Sequence, residues 1–213
     1  MRQNEVDVVR IPAIQNFSGS DFSVVLPVSG LLTDVLDGFA PDIIHAHHPY
    51  LLGVTALRIA RYRDLPLVFT HHTLYEEYTH YVPGNAPRFR RFIIEAATRY
   101  ANLCDQVFAP SESIMTLLRA RGVATPITVL PTGVQTEHFM QGNGARFRIA
   151  TGIPEDAFVV GHLGRLAPEK NLELLAEAVA AFLQTESRAY FLVIGTGPSG
   201  KTIREIFARE GLD

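Results

Sequence analysis

Gly164-Arg165-Leu166-Ala167-Pro168-Glu169-Lys170-Asn171 lies between an apolar run over 157–162 and an amphipathic run over 172–183. That order reads as a strand, a turn and a helix. It delivers Arg165 and Lys170 from a loop toward which helix amides also point. Such a place suits an anion. Two fixed cations beside a helix N-terminus fit a diphosphate better than a single carboxylate, because several charges must be neutralised over several ångströms. The same residues also read as two solvated loop cations, so the surrounding chain has to decide.

After the loop and its helix, the pattern predicts a strand over 189–194 and a last helix over 202–210. Before it, residues 141–154 are Gly-rich, polar and basic, and read as a crossing between two units. The implied organisation is a first lobe over 1–140, a linker over 141–155 and the start of a second lobe over 156–213. Within the first lobe, 6–11 and 23–26 read as short β pieces and 30–39 as a helix. Strands then alternate with helices: 42–47, helix 51–62, 65–70, helix 87–103, 106–109, a helix capped by Ser111 and running to 120, and 125–130. Continuously apolar strands alternating with helices predict an α/β fold, a parallel sheet with helices on both faces. The second unit holds only two strand and helix pairs and reads as truncated, with an uncovered edge strand.

The 213 residues are 47% hydrophobic and 19% charged, an ordinary globular composition with room for sizeable cores. A net charge of -3 argues against a dedicated nucleic-acid binder, which would present a broad basic face. The one cysteine, Cys104, excludes an intrachain disulfide, fits a reducing compartment and reads as a small core residue. The first residues lack the apolar core of a signal peptide. No apolar run approaches the roughly 18 residues that suggest a membrane span. A membrane would be met from the side.

Six of the eight histidines fall between residues 45 and 80: His45, His47, His48, His71, His72 and His80. They gather at the carboxyl ends of two adjacent predicted strands, the edge of an open α/β sheet where ligands bind. Three readings stay open: a metal site, a polar site wall, and satisfied buried histidines. No acidic residue stands at ligand spacing, so no metal is assigned. Residues 73–84 follow, including Tyr75, Tyr78 and His80. Rings mixed with hydroxyls and carboxylates suit a polyol, although a tyrosine-rich surface loop has the same composition. Arg88, Arg90 and Arg91 alternate with Phe89 and Phe92 at a helix start, which suits an anionic membrane surface or an ordinary solvated face.

Residues 195–202, Gly195-Thr196-Gly197-Pro198-Ser199-Gly200-Lys201-Thr202, fit the P-loop pattern between a strand and a helix. That would make a nucleotide hydrolase using Lys201 and Thr202. Pro198 opposes it by restricting a loop that must wrap its amides around phosphates.

Taken together, the residues resemble the GT-B glycosyltransferases of the large group-1/family-4 type, retaining and nucleotide-sugar dependent. Residues 164–171 are similar to that family's donor-phosphate motif, and 193–198 to the next strand end of the same lobe. Residues 41–47 and 130–134 match its amino-terminal lobe and inter-lobe region. Residues 71–78 with 80–83 resemble the diacylglycerol glucosyltransferase branch.

The resemblance implies two Rossmann-like lobes, the second truncated. It implies transfer of a sugar from a UDP- or GDP-sugar, with no cofactor required, to an acceptor hydroxyl, with a membrane lipid such as diacylglycerol as partner. By position, Arg165 and Lys170 hold the diphosphate and His72 contacts the donor sugar. Gly133, Gly164, Asn171, Gly195 and Gly197 border the donor, while His45, His47, Tyr75, Tyr78 and His80 lie on the acceptor side. The location implied is cytoplasmic, peripheral at the inner face of the membrane.

The family's opening strand and glycine-rich loop, and two later glutamates that bind the donor sugar, find no counterpart in this chain. It is therefore expected to be a segment that is inactive or nearly so by itself. Three rivals remain: the P-loop hydrolase, a non-catalytic Rossmann-like binding protein, and a glycosyltransferase acting on a soluble glycan.

Overall fold

The computed structural model describes residues 8–15, 24–25, 30–77 and 87–212. The chain divides into two compact units, Met1–Gly133 and Val134–Asp213.

In the first unit, β1 (Ala13–Ile14) and β2 (Val24–Val25) form a short antiparallel ribbon. The strand predicted over 6–11 is not present in its described part: residues 8–12 have no regular structure. Pro12 has no N–H to give a ladder, and pairing starts only after it. Then follow α1 (Gly30–Phe39), β3 (Ile44–Ala46), α2 (Leu52–Arg63), β4 (Leu67–Thr70), α3 (Pro87–Asn102), β5 (Gln106–Ala109), α4 (Glu112–Ala120) and β6 (Ile127–Val129). Local chemistry sets several of these boundaries. The Ser111 hydroxyl accepts from the Ile114 N–H at the start of α4, and Pro87 occupies the first position of α3, where no N–H is needed.

The strands β3-β4-β5-β6 form one parallel sheet in sequence order. Helices α2, α3 and α4 pack on one face of it, as right-handed crossovers between successive strands would place them. The register puts Ile44 and Ala46 beside Leu67 and Phe69, and these beside Val107 and Ile127. This side packs on Ala60, Tyr100, Ala101 and Leu118. Phe69 and Val107 are wholly buried, each burial contributing about 2 kcal/mol or more. The opposite register carries His45, Val68, Thr70, Gln106, Phe108 and Thr128. The strands are thus apolar on the helix side and mixed on the other.

The second unit contains α5 (Thr136–Met140), α6 (Gly144–Thr151), β7 (Phe158–Leu163), a 3-10 turn (Pro168–Lys170), α7 (Leu172–Thr185), β8 (Ala189–Ile194) and α8 (Gly200–Arg209). Helix α6 occupies much of the stretch that reads as a crossing in sequence. Asn143 caps it, and Arg148 donates to the carbonyls of Pro154 and Ala157, tying the helix to the start of β7. Strands β7 and β8 pair in parallel from Phe158↔Ala189 to Leu163↔Ile194. Helices α7 and α8 cover one side, with Leu172, Ala176, Val179 and Ala180 against Ile203, Ile206 and Phe207, over Val160, Phe191 and Val193. The alanines let the helices approach closely.

Candidate functional site

Adjacent parallel strands bring the histidine clusters together. His45 stands on β3, and its Nε2 lies 2.7 Å from Thr70 Oγ1 at the end of β4. His47 follows β3, and its Nδ1 lies 2.9 Å from Nε2 of His72, just beyond β4. The His45 and His47 rings are 4.1 Å apart, and those of His47 and His72 stack at 5.1 Å. A hydrogen bond between two ring nitrogens requires one to donate and the other to accept, so one imidazole of the pair is neutral. Burial, and then the neighbouring His47 and His72, lower the His45 pKa from its ordinary 6.5. Burial and then His72 lower that of His47. Uncharged imidazoles offer both a donor and an acceptor, which suits hydroxyl groups.

The other histidines of the wall do something different. His71 is 2% exposed and meets Phe69 and Tyr75 edge-on. Burial lowers its pKa, opposed by the charge of Glu76. His48 packs edge-on against Tyr50 and Tyr75. Tyr75, expected on the acceptor side, buries its hydroxyl without a hydrogen-bond partner among the described residues. Burial raises its pKa. Tyr78 and His80 lie outside the described residues.

Sequence reasoning missed an ion pair beneath this edge. Glu76 is buried and pairs with Arg121 at the end of α4. No spacing in the sequence links residues that far apart. Among the described residues no three His, Cys, Asp or Glu side chains converge as a metal would require.

In the second unit the 164–171 loop lies backbone to backbone against the 195–199 loop. The Leu166 N–H donates to Thr196 O at 2.9 Å, and the Ser199 N–H donates to Leu166 O at 2.9 Å. A Cβ on Gly195 would sit 1.8 Å from Gly164 O, and one on Gly197 would sit 2.3 Å from Leu166 O, with both glycines at positive φ. Only glycine fits there. These contacts also weigh against the P-loop alternative for 195–202. The Ser199 amide is committed to Leu166 and the Gly200 amide to Gly197 O, so neither points freely at a phosphate. Lys201 is exposed and 3.5 Å from Glu205.

The two loop cations are not alike. Arg165 is tied to Glu169, whereas the side chain of Lys170 is exposed. Asn171 adopts the left-handed conformation at φ 49° between the 3-10 turn and α7. It sets the first amides of α7, which have no intrahelical acceptor, at the end of the loop. Gly164 begins the loop at positive φ. Gly133, at the end of the first unit, is exposed with open space where a Cβ would stand.

The family profile for Glycosyltransferase Family 4 matches residues 1–138. The chain belongs to that family. Among curated relatives of this family member, alpha-monoglucosyldiacylglycerol synthase of Streptococcus pneumoniae is 27% identical over 212 residues, covering 96% of this chain and 47% of that protein. D-inositol 3-phosphate glycosyltransferase of Acidothermus cellulolyticus is 36% identical over 172 residues, covering 77% and 38%. The chain spans about half the length of the curated relatives it matches. Among solved structures, Anabaena HepE in complex with UDP and glucose superposes with a TM-score of 0.66 at 22% identity, over 86% of this chain and 49% of that one. That likeness concerns the fold. The family member is α/β, with parallel sheets and helices as in GT-B glycosyltransferases. No helix among its described residues is long and apolar enough to cross a membrane.

Proposed function

We propose that the whole protein transfers a sugar from a nucleotide-diphosphate sugar, UDP- or GDP-linked, to an acceptor hydroxyl with retention of configuration. The acceptor proposed is a membrane lipid of the diacylglycerol kind. The observation that carries this reading is the 164–171 loop, which ends at the amide terminus of a 14-residue helix with Arg165 and Lys170 on it.

The difficult event is departure of the diphosphate from an oxocarbenium-like sugar. Arg165, Lys170 and the α7 amides stabilise the charge developing on the leaving oxygen, a role a metal ion fills elsewhere. Gly164, Asn171, Gly195 and Gly197 shape the backbone of the donor side, with Gly133 leaving room for close approach. His72, beside the imidazoles of His45 and His47, faces sugar hydroxyls, and Tyr75, Tyr78 and His80 belong to the acceptor side. In this reading residues 1–140 are the acceptor lobe, 141–155 the joint and 156–213 the beginning of the donor lobe.

The lipid acceptor is supported by the diacylglycerol synthases among the relatives and by α3. There Arg91 and Phe92 are exposed, although Arg90 pairs with Glu77 and Arg91 with Glu95. A peripheral membrane position follows. Titration of the chain with UDP and GDP tests the donor side. Lys170→Ala is expected to weaken binding about tenfold or more, and Lys201→Ala to leave it unchanged. Dependence on Lys201 alone would overturn the reading. Retention of anionic vesicles by the chain, lost on neutralising Arg88, Arg90 and Arg91, tests the acceptor side against a soluble glycan.

A further inference from the structure

The cation at 165 is already partnered before any ligand arrives. The Arg165 Nη2 donates to Glu169 Oε1 across the turn, and the side chains are 38% and 7% exposed respectively. Glu169 belongs to the Pro168–Lys170 turn, which buries its carboxylate and leaves the next side chain, Lys170, in solvent. A guanidinium carries five N–H groups in a planar fork. A fork held through one nitrogen by a carboxylate still carries N–H groups on its other nitrogens.

We propose that Glu169 is a positioning residue for the donor diphosphate: it orients the Arg165 guanidinium so that its outward N–H groups meet the phosphate. The inference rests on the donor-loop reading above. An arginine on a flexible stem loses rotamer freedom when it binds, and a guanidinium already fixed in its binding orientation loses less. Simple charge counting gives the opposite sign, since a carboxylate beside the cation competes with phosphate. The burial of Glu169 decides between them. A phosphate arriving from solvent meets the exposed part of Arg165, while the carboxylate stays behind it in the turn. The tight turn couples the two cations as well, because the geometry that buries Glu169 also directs Lys170 outward.

Calorimetric titration of the chain with UDP and with inorganic pyrophosphate tests this, using wild type, Glu169→Gln, Glu169→Ala and Arg165→Ala. Wild type is expected to bind most tightly and Glu169→Gln, which keeps one acceptor, next. Glu169→Ala is expected to be weaker than wild type by about tenfold. Binding by either Glu169 variant that equals or exceeds wild type overturns the proposal, because the carboxylate is then a competitor or a bystander. In the Arg165→Ala background, the Glu169→Ala step should change the remaining affinity little. An equal loss in both backgrounds assigns Glu169 to support of the turn alone and also overturns it. If wild type binds neither probe, or Arg165→Ala binds as well as wild type, the donor-loop reading itself fails.

Discussion

Burial disfavours the charged forms of His45, His47 and His71, and this has a measurable sign. The pKa values of His45, His47 and His71 lie below 6.5 in the folded chain. As pH falls below 6.5 the unfolded chain takes up protons that the folded one refuses, so the unfolded state gains. Stability is therefore complete above about pH 6.5 and declines from there down to the folded pKa values. Urea midpoints are expected to be lower at pH 5.5 than at pH 8, and His47→Asn should flatten that difference. An unchanged midpoint across the range would contradict the assignment. Glu76 and Arg121 make a second residue-scale test. Removing one partner of a largely buried pair is costly, so Arg121→Met should cost about 3 kcal/mol in chemical denaturation. A loss within about 0.5 kcal/mol would mean that Glu76 is satisfied by other groups. The histidines were legible in the sequence because they cluster along the chain. The ion pair was not, because it is made by folding alone. Within the wall, His45, His47 and His72 meet, and His48, His71 and Tyr75 pack into an aromatic cluster beside them.

Element boundaries from β3 to β6 followed closely from apolar runs punctuated by turn residues, and Ser111 caps α4 as its position predicts. Two readings failed for a common reason, which is that local patterns ignore what packs beside them. The piece over 6–11 is apolar enough for a strand, but in its described part, residues 8–11, no strand forms, and pairing begins after Pro12. Residues 195–202 spell a phosphate loop, yet their glycines serve a close approach to the neighbouring loop's backbone. That contact gives Gly195→Ala a large expected effect, because the new methyl would collide with a carbonyl in a backbone conformation that L-residues rarely adopt. A loss of more than about 2 kcal/mol in thermal or urea unfolding is expected. UDP affinity should fall with it, since the loop carrying Arg165 is displaced. A Gly195→Ala chain as stable as wild type would show that the two loops do not need to touch.

At the scale of the whole molecule, the two units bury their strands differently. The four-stranded sheet turns a mixed face with His45, Gln106 and Thr128 away from its helices, a composition that tolerates water. The β7–β8 pair has an apolar one: Val159, Leu163, Tyr190, Leu192 and Ile194 share the register opposite the helix-covered side. Leu163 is 77% exposed and Ile194 43%. The sequence made this legible as continuous apolar strands, a pattern that fits burial on both sides. Among the described residues α7 and α8 cover one side. An apolar sheet face with unpaired edges is a surface for association. The chain should therefore enhance the fluorescence of an apolar dye such as ANS and sediment with a concentration-dependent mass. The double change Leu163→Thr and Ile194→Thr, which places a β-branched, strand-favouring residue at both positions, should reduce both while leaving the helix-side core intact. A wild-type chain that stays monomeric and dark with the dye at high concentration would show that this face is covered by other residues of the same chain.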